Sequence, residues 1–115
     1  MAVVLGALAT SCAPSASATD ERLQELVRTV LADAARRSGL DLTNLRVDSA
    51  EAVTWSDGSL GCPQPGQSYT QALVPGYRVQ IEGNGKSYDY HASVRGSWVL
   101  CPAGRAAEPT RLDRF

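Results

Sequence analysis

Hydrophobic residues recur with a helical period in the first half of the chain. Between Thr19 and Gly39, apolar positions are separated by three or four residues and form one stripe along a helix. The stripe comprises Leu23, Leu26, Val27, Val30, Leu31, Ala34 and Ala35. Thr19 is suited to cap the N-terminus, and Gly39 is suited to end the helix in a left-handed conformation. The sequence therefore predicts an amphipathic helix whose apolar face packs on the rest of the domain.

The second half of the chain changes to the alternation typical of strands. The segment 45–55 is rich in β-branched and aromatic residues and predicts a strand with a bend near Ser49. Apolar and polar residues alternate over 77–82 and over 87–92, on either side of a tight Gly-Asn-Gly turn. A short last strand ends at position 101. We therefore predict an α+β fold in which one N-terminal helix packs on an antiparallel sheet of about four strands.

The N-terminal residues resemble an export signal. The first 18 residues carry no charge and run from an apolar segment into small and polar residues, the order found in signal peptides. The sequence Ala-Thr-Ser-Cys ending at Cys12 resembles a lipobox and predicts lipid modification of Cys12, whereas Ala16-Ser17-Ala18 fits ordinary signal peptidase cleavage. Both processing sites stay open. We predict a leader at 1–18, a single domain at 19–101, and a flexible tail at 102–115.

The chain contains three cysteines, an odd number for an exported protein. A lipid on Cys12 accounts for one of them and leaves Cys62 and Cys101 to form one disulfide. Disulfides persist outside the cytoplasm. We therefore predict an extracytoplasmic location, either anchored to the cell membrane through the lipid or secreted.

A Gly/Pro-rich loop follows the first predicted strand, over residues 56–67. The disulfide would attach this loop to the last strand, and its prolines restrict it further. A loop ordered in advance loses less entropy on binding, so the sequence predicts a recognition surface there. The candidate residues are Asp57, Leu60, Pro63, Pro65 and Tyr69. The alternative is a structural loop in which Leu60 fills the core.

The loop also carries a resemblance. The run TWSDGSLGCPQPGQSYTQALVPGYRV, followed by Y-x-Y-H and a final Leu-Cys, resembles a family of small exported bacterial proteins, some of them lipoproteins. That family carries W-x-D-G-S-L-G-C-P-x-P-G, then Y-T-Q-x-x-x-P-G-Y, then Y-x-Y-H, and has no established activity. The likeness covers about 53–101. It implies export, pairing of Cys62 with Cys101 and a shared loop, and it transfers no catalytic residue.

Composition and motifs argue against several functional classes. The net charge is −1, from 11 basic and 12 acidic residues without a basic cluster, so nucleic acid is not an expected partner. The only histidine, His91, lacks the paired spacing of zinc ligands, and we expect it on the polar surface of the sheet. Ser59 lacks the nucleophile elbow of hydrolases. We therefore expect no metal, no cofactor and no enzymatic activity.

Two functions remain open. The first is a non-catalytic envelope domain that binds a protein, peptide or wall component through the Gly/Pro loop, with Trp55 and Tyr77 supplying nearby aromatic contacts. The second is a peptidase inhibitor, because the order of helix and strands loosely resembles the cystatin layout with its Q-x-V-x-G hairpin and later tryptophan. The candidate inhibitor residues are Gln71, Val74, Gly76 and Trp98, although this segment has one residue more than the cystatin motif.

Overall fold

A computed structural model describes residues 18–111, with side chains from Glu21 onward. The proposed lipidation site, Cys12, and the predicted leader up to position 17 lie outside the described residues, as do the last four residues of the predicted tail. None of the helices in the described part of the chain has the length and hydrophobicity needed to span a membrane.

The predicted amphipathic helix is present as α1, Ala18–Ser38. Gly39 follows it at φ +76°, and its amide donates to the carbonyl of Ala35 at 2.8 Å. This is the left-handed end that glycine permits without steric cost. A short 3₁₀ turn, Leu42–Asn44, then directs the chain into the sheet.

Four strands follow in chain order and form one antiparallel meander. They are β1 (Arg46–Trp55), β2 (Val74–Gly83), β3 (Lys86–Ser93) and β4 (Trp98–Cys101). The register between β1 and β2 shifts between Val47 and Ser49, where the sequence indicates a bend. The α+β fold with one helix and four antiparallel strands is confirmed.

One face of the sheet packs on α1 and forms the apolar core. Because side chains alternate along a strand, every second residue of β2 and β3 points toward the helix. The buried core residues are Leu26, Val30 and Ala34 of α1 with Tyr77, Val79, Ile81, Tyr88, Tyr90 and Ala92 of the sheet. The apolar stripe of α1 and the residues that strand alternation places on the same side therefore pack together in one core layer.

The opposite face of the sheet is also covered, by the chain that joins β1 to β2. Trp55 closes β1 and is fully buried on this face, together with His91 of β3. Leu60 and Cys62 of the connecting loop are buried against them. The domain thus has three layers, in the order helix, sheet and loop. Our expectation that His91 lies on a polar surface is wrong, because this third layer covers it.

Gly76 permits Trp55 to lie across β2. A Cβ atom at Gly76 would stand 2.0 Å from the carbonyl oxygen of Ala92 and 2.8 Å from the indole nitrogen of Trp55. Both contacts are far below van der Waals distance. Only a residue without a side chain fits between the sheet ladder and the indole.

We predict that Gly76→Ala lowers the free energy of unfolding by about 3 kcal/mol or more, because overpacking forces both the ladder and Trp55 to move. Urea unfolding of the oxidised protein measures the change. Gly58→Ala is the matched control, since its Cβ would meet its nearest atom at 3.4 Å, an ordinary contact. Equal stability of the two variants would contradict the assigned role of Gly76.

Candidate functional site

The candidate site is the loop 56–73, here called the pinned loop, together with the sheet face beneath it. Its first turn is built by Asp57, whose carboxylate accepts from the amide of Ser59 at 2.9 Å and from its hydroxyl at 2.6 Å. The amide of Gly58 donates to the carbonyl of Thr70 at 2.9 Å, which closes the base of the loop. Aspartate favours such turns because its short side chain bonds the backbone two residues on.

The middle of the pinned loop packs directly against the Trp55 ring. Leu60 and Gly61 both adopt positive φ, +57° and +73°. For a branched residue such as Leu60 this conformation is uncommon and costs free energy, so the surrounding structure must impose it. A Cβ at Gly61 would lie 2.5 Å from the indole of Trp55 and 2.8 Å from the carbonyl of Ala107. Gly61 therefore fits only because it has no side chain.

The disulfide between Cys62 and Cys101 joins the pinned loop to β4. The two Cα atoms are 5.7 Å apart, and the bond spans a sequence separation of 39. Closing a segment of this length in the unfolded chain stabilises the fold by about 4 kcal/mol in the chain-entropy account. Both cysteines are buried. The predicted pairing is thus present and holds the loop in one place.

His91 links the loop to the sheet from below. Its ring stacks on Trp55 with centroids 4.4 Å apart and planes 18° from parallel. The Nδ1 atom lies 2.6 Å from the carbonyl oxygen of Leu60, and because a carbonyl only accepts, Nδ1 carries the hydrogen. The indole of Trp55 donates to the carbonyl of Ala92 at 3.0 Å. The strained Leu60 is therefore held through its own carbonyl.

A charged cluster surrounds the other side of His91. Arg78 donates to Asp89 through two nitrogens at 3.0 and 2.9 Å, and to Glu108 at 3.0 Å. The Nε2 atom of His91 lies 3.1 Å from the Asp89 carboxylate, outside hydrogen-bond alignment, and the two groups form an ion pair only when the imidazole is protonated. Burial alone would raise the pKa of Asp89, but His91 and Arg78 outweigh it and lower this pKa to about 2.

The C-terminal segment 102–111 contacts the pinned loop and β1. The amide of Ala107 donates to the carbonyl of Gly61, and that of Thr110 to the carbonyl of Thr54, both at 2.8 Å. Glu108 of the same segment reaches Arg78. The sequence, from which we predict a flexible tail, does not indicate these contacts.

The structure divides the predicted binding residues into two groups. The side chain of Leu60 is buried, and the Asp57 carboxylate is occupied by hydrogen bonds within its own turn. Pro63 and Pro65 are exposed, and Tyr69 is half-buried with its hydroxyl accepting from the amide of Gln64 at 3.0 Å. Trp55 and Tyr77, predicted as aromatic contacts, are buried in the fold. Within the loop, residues 63–68 and 70–73 are therefore exposed at the surface.

The predicted inhibitor residues are also placed differently from one another. Gln71 is exposed in the loop, whereas Val74 is half-buried and Gly76 is buried under Trp55. Trp98 is half-buried and packs edge to face on Tyr90, with ring centroids 5.6 Å apart. The exposed apolar side chain of this segment is Leu73, which is 56 % accessible.

Two groups of buried or partly buried polar side chains were not predicted from the sequence. The first comprises Arg78, Asp89 and His91. These residues occupy alternate positions on one sheet face, and this alternation is the sequence signal that could have identified them. The other is Asp33, which lies within the helical stripe, accepts from the Tyr90 hydroxyl at 2.8 Å and pairs with Arg37. Burial opposes ionisation of Asp33, but the bonds from Arg37 and Tyr90 prevail and lower its pKa.

The side chains of the site differ in whether a molecule in solution can reach them. His91 has no accessible surface, so no molecule in solution reaches its ring without opening of the loop. In residues 18–111, no group of three or more histidine, cysteine or acidic side chains is placed to hold a metal ion. The exposed residues of the loop are Ser56 and, apart from the half-buried Tyr69, residues 63–73.

The fold and the site define a small α+β domain with a disulfide-held loop over a buried histidine. The chain belongs to the family described as a domain of unknown function, DUF8738, whose pattern matches residues 27–101. This match contains most of α1, the whole sheet and the pinned loop. Neither a curated protein nor a solved structure matches the chain.

We predict that acid weakens the fold through Asp89. Its pKa is lower in the folded state than the usual value near 4, so its stabilisation, about 2 kcal/mol, is present above pH 4 and lost as the pH falls toward 2. Urea unfolding from pH 7 to pH 2 should show this loss in the wild type and a smaller one in Asp89→Asn.

Asp41→Asn is the control for this titration, because Asp41 is exposed and its side chain makes no capping bond. Its acid profile should follow that of the wild type. An Asp89→Asn profile parallel to the wild type over the whole range would show that Asp89 contributes no acid-dependent stability.

Proposed function

We propose that this chain is an exported, non-catalytic binding domain of the bacterial cell envelope, and that it recognises a protein, peptide or wall component through the outer pinned loop. One observation carries the proposal. Residues 63–68 are all exposed, while the loop on both sides of them is held by the disulfide and by the bond between Gly58 and Thr70. A surface ordered before binding loses little conformational entropy when a partner arrives.

The composition of the outer loop supports this role. Pro63 and Pro65 restrict the backbone, and Tyr69 braces Gln64 through its hydroxyl. The exposed amides of Gln64 and Gln67 offer both donors and acceptors. Rigid apolar groups next to adaptable amides are the usual components of protein-binding loops.

Export and lipid anchoring are part of the same proposal. The apolar, uncharged N-terminal residues support export, and the sequence around Cys12 supports lipid attachment. A buried disulfide in a small domain is compatible with a location outside the cytoplasm. A lipid on Cys12 would place the domain at the membrane surface.

Inhibition of a peptidase is the second candidate, and one observation favours it. The end of the pinned loop and the turn between β3 and β4 lie side by side at one end of the sheet, where the amide of Val94 donates to the carbonyl of Pro75 at 3.0 Å. Leu73 and Val94 line a shared cavity of about 460 Å³ there. Two adjacent loops at one sheet end are what a wedge-shaped inhibitor of the cystatin kind inserts into a protease cleft.

We predict that Gln64→Arg/Gln67→Arg abolishes capture of the partner, because two long cations displace contacts at the centre of the outer loop. Quantitative pull-down from envelope extract and co-sedimentation with purified cell wall measure binding to proteins and to wall material. Ala32→Arg/Thr43→Arg, which alters exposed residues outside the pinned loop, should behave as wild type. Identical recovery with both double variants would remove the loop from recognition.

For the inhibitor candidate, the oxidised chain should slow papain at sub-micromolar concentration. Leu73→Arg should weaken this inhibition at least tenfold, because an exposed apolar contact becomes a cation, while unfolding in urea stays unchanged. Initial rates with a fluorogenic peptide measure the effect. Absence of inhibition across papain-like and serine proteases would eliminate this candidate and leave the binding proposal standing.

A further inference from the structure

A second cavity lies on the helix side of the sheet, away from the buried histidine. It is an open cleft of about 390 Å³ between the N-terminal half of α1 and the turn that joins β3 to β4. Its apolar wall is formed by Leu26, Tyr77, Val94 and Trp98. The exposed side chains of Glu25, Thr29 and Arg95 stand at its rim. Small-molecule sites in proteins begin at about this volume and have this apolar character.

The register of the sheet explains why large side chains meet here. Tyr77 and Trp98 both pair with Ala92, one from each side, so all three point to the helix face. The small Ala92 stands between two large rings. The apolar wall of the cleft is therefore set by the strand pairing.

Within the described residues, Tyr77 carries a buried polar group without a hydrogen-bond partner. The residue is 2 % accessible, and among residues 18–111 its hydroxyl has no hydrogen-bond partner. A buried hydroxyl without a partner is destabilising, and native structures rarely retain one without reason. Tyr90, the neighbouring core tyrosine, instead donates to Asp33. Both tyrosines lie in the core layer under α1, but within the described residues only the hydroxyl of Tyr90 has a hydrogen-bond partner.

We propose that this cleft binds a small organic ligand with a flat apolar body and one hydrogen-bonding group, which pairs with the Tyr77 hydroxyl. The apolar body packs between Leu26 and Trp98. Because the hydroxyl is buried, the ligand reaches it through side-chain rotamer changes of the kind that commonly accompany binding. The site is separate from the outer pinned loop and does not depend on the function proposed for that loop.

Two matched probes test the proposal, p-cresol and toluene, which differ by one hydroxyl. Titration of the oxidised full chain, followed by ¹H–¹⁵N NMR, should give saturable shifts at amides 22–29 and 94–98. We expect p-cresol to bind about five- to tenfold more tightly than toluene, since one hydrogen bond to a buried group contributes this much. Tyr77→Phe keeps the ring and should abolish the preference for p-cresol.

A second pair of variants tests the location without altering the core. Thr29→Trp places a large side chain at the exposed rim and should weaken both probes at least tenfold. Ala32→Trp, one turn further along α1 and outside the cleft lining, should leave both affinities unchanged. Absence of saturable shifts, saturation at other amides, or an unchanged p-cresol preference in Tyr77→Phe would each overturn the proposal.

Discussion

The covalent bond between Cys62 and Cys101 holds a loop over the sheet face that the helix leaves bare. A four-stranded sheet with a single helix has one unprotected face, and here that face carries Arg78, Asp89 and His91. Without the loop these groups and the Trp55 ring would stand in water, and the sheet would lose its second packed layer. The disulfide stabilises this arrangement because it restricts the conformations of the unfolded chain between two cysteines that are 39 positions apart.

The layer under the loop is polar, which sets it apart from the core under the helix. His91 stacks on Trp55 and donates to Leu60, while Asp89 joins His91 to Arg78 and Glu108. Buried charges need such partners, since an unpaired one costs several kcal/mol. The partners come from β1, the pinned loop, β2, β3 and the C-terminal segment. The network thus couples the loop, the sheet and the C-terminal segment, while residues 63–68 of the loop stay exposed.

Much of the fold was predictable because its signals are local. The helical stripe, the alternation in β2 and β3 and the Gly-Asn-Gly turn each depend on neighbours a few residues away, and each prediction is confirmed. Fewer features of the candidate site could be predicted from such local signals. Pro63 is exposed and Tyr69 is half-buried, whereas Leu60, Trp55 and Tyr77 are buried. Periodicity indicates which face of the sheet a residue occupies, but it does not indicate what covers that face.

The sequence by itself determined the helix and the strands, because propensity and alternation act over short range. It also predicted the pairing of Cys62 with Cys101, from the cysteine settings and the family resemblance, and this pairing is confirmed. Only the tertiary structure decided which side chains the loop would bury. The sequence predicts a surface position for His91. In the fold, however, Trp55 and Leu60, which are more than 30 residues away in the chain, pack against its ring. The same holds for the hydroxyl of Tyr77, which has no hydrogen-bond partner within the described part of the chain. Burial and hydrogen-bond partnership are properties of the assembled layers, and they become visible only when distant segments pack together.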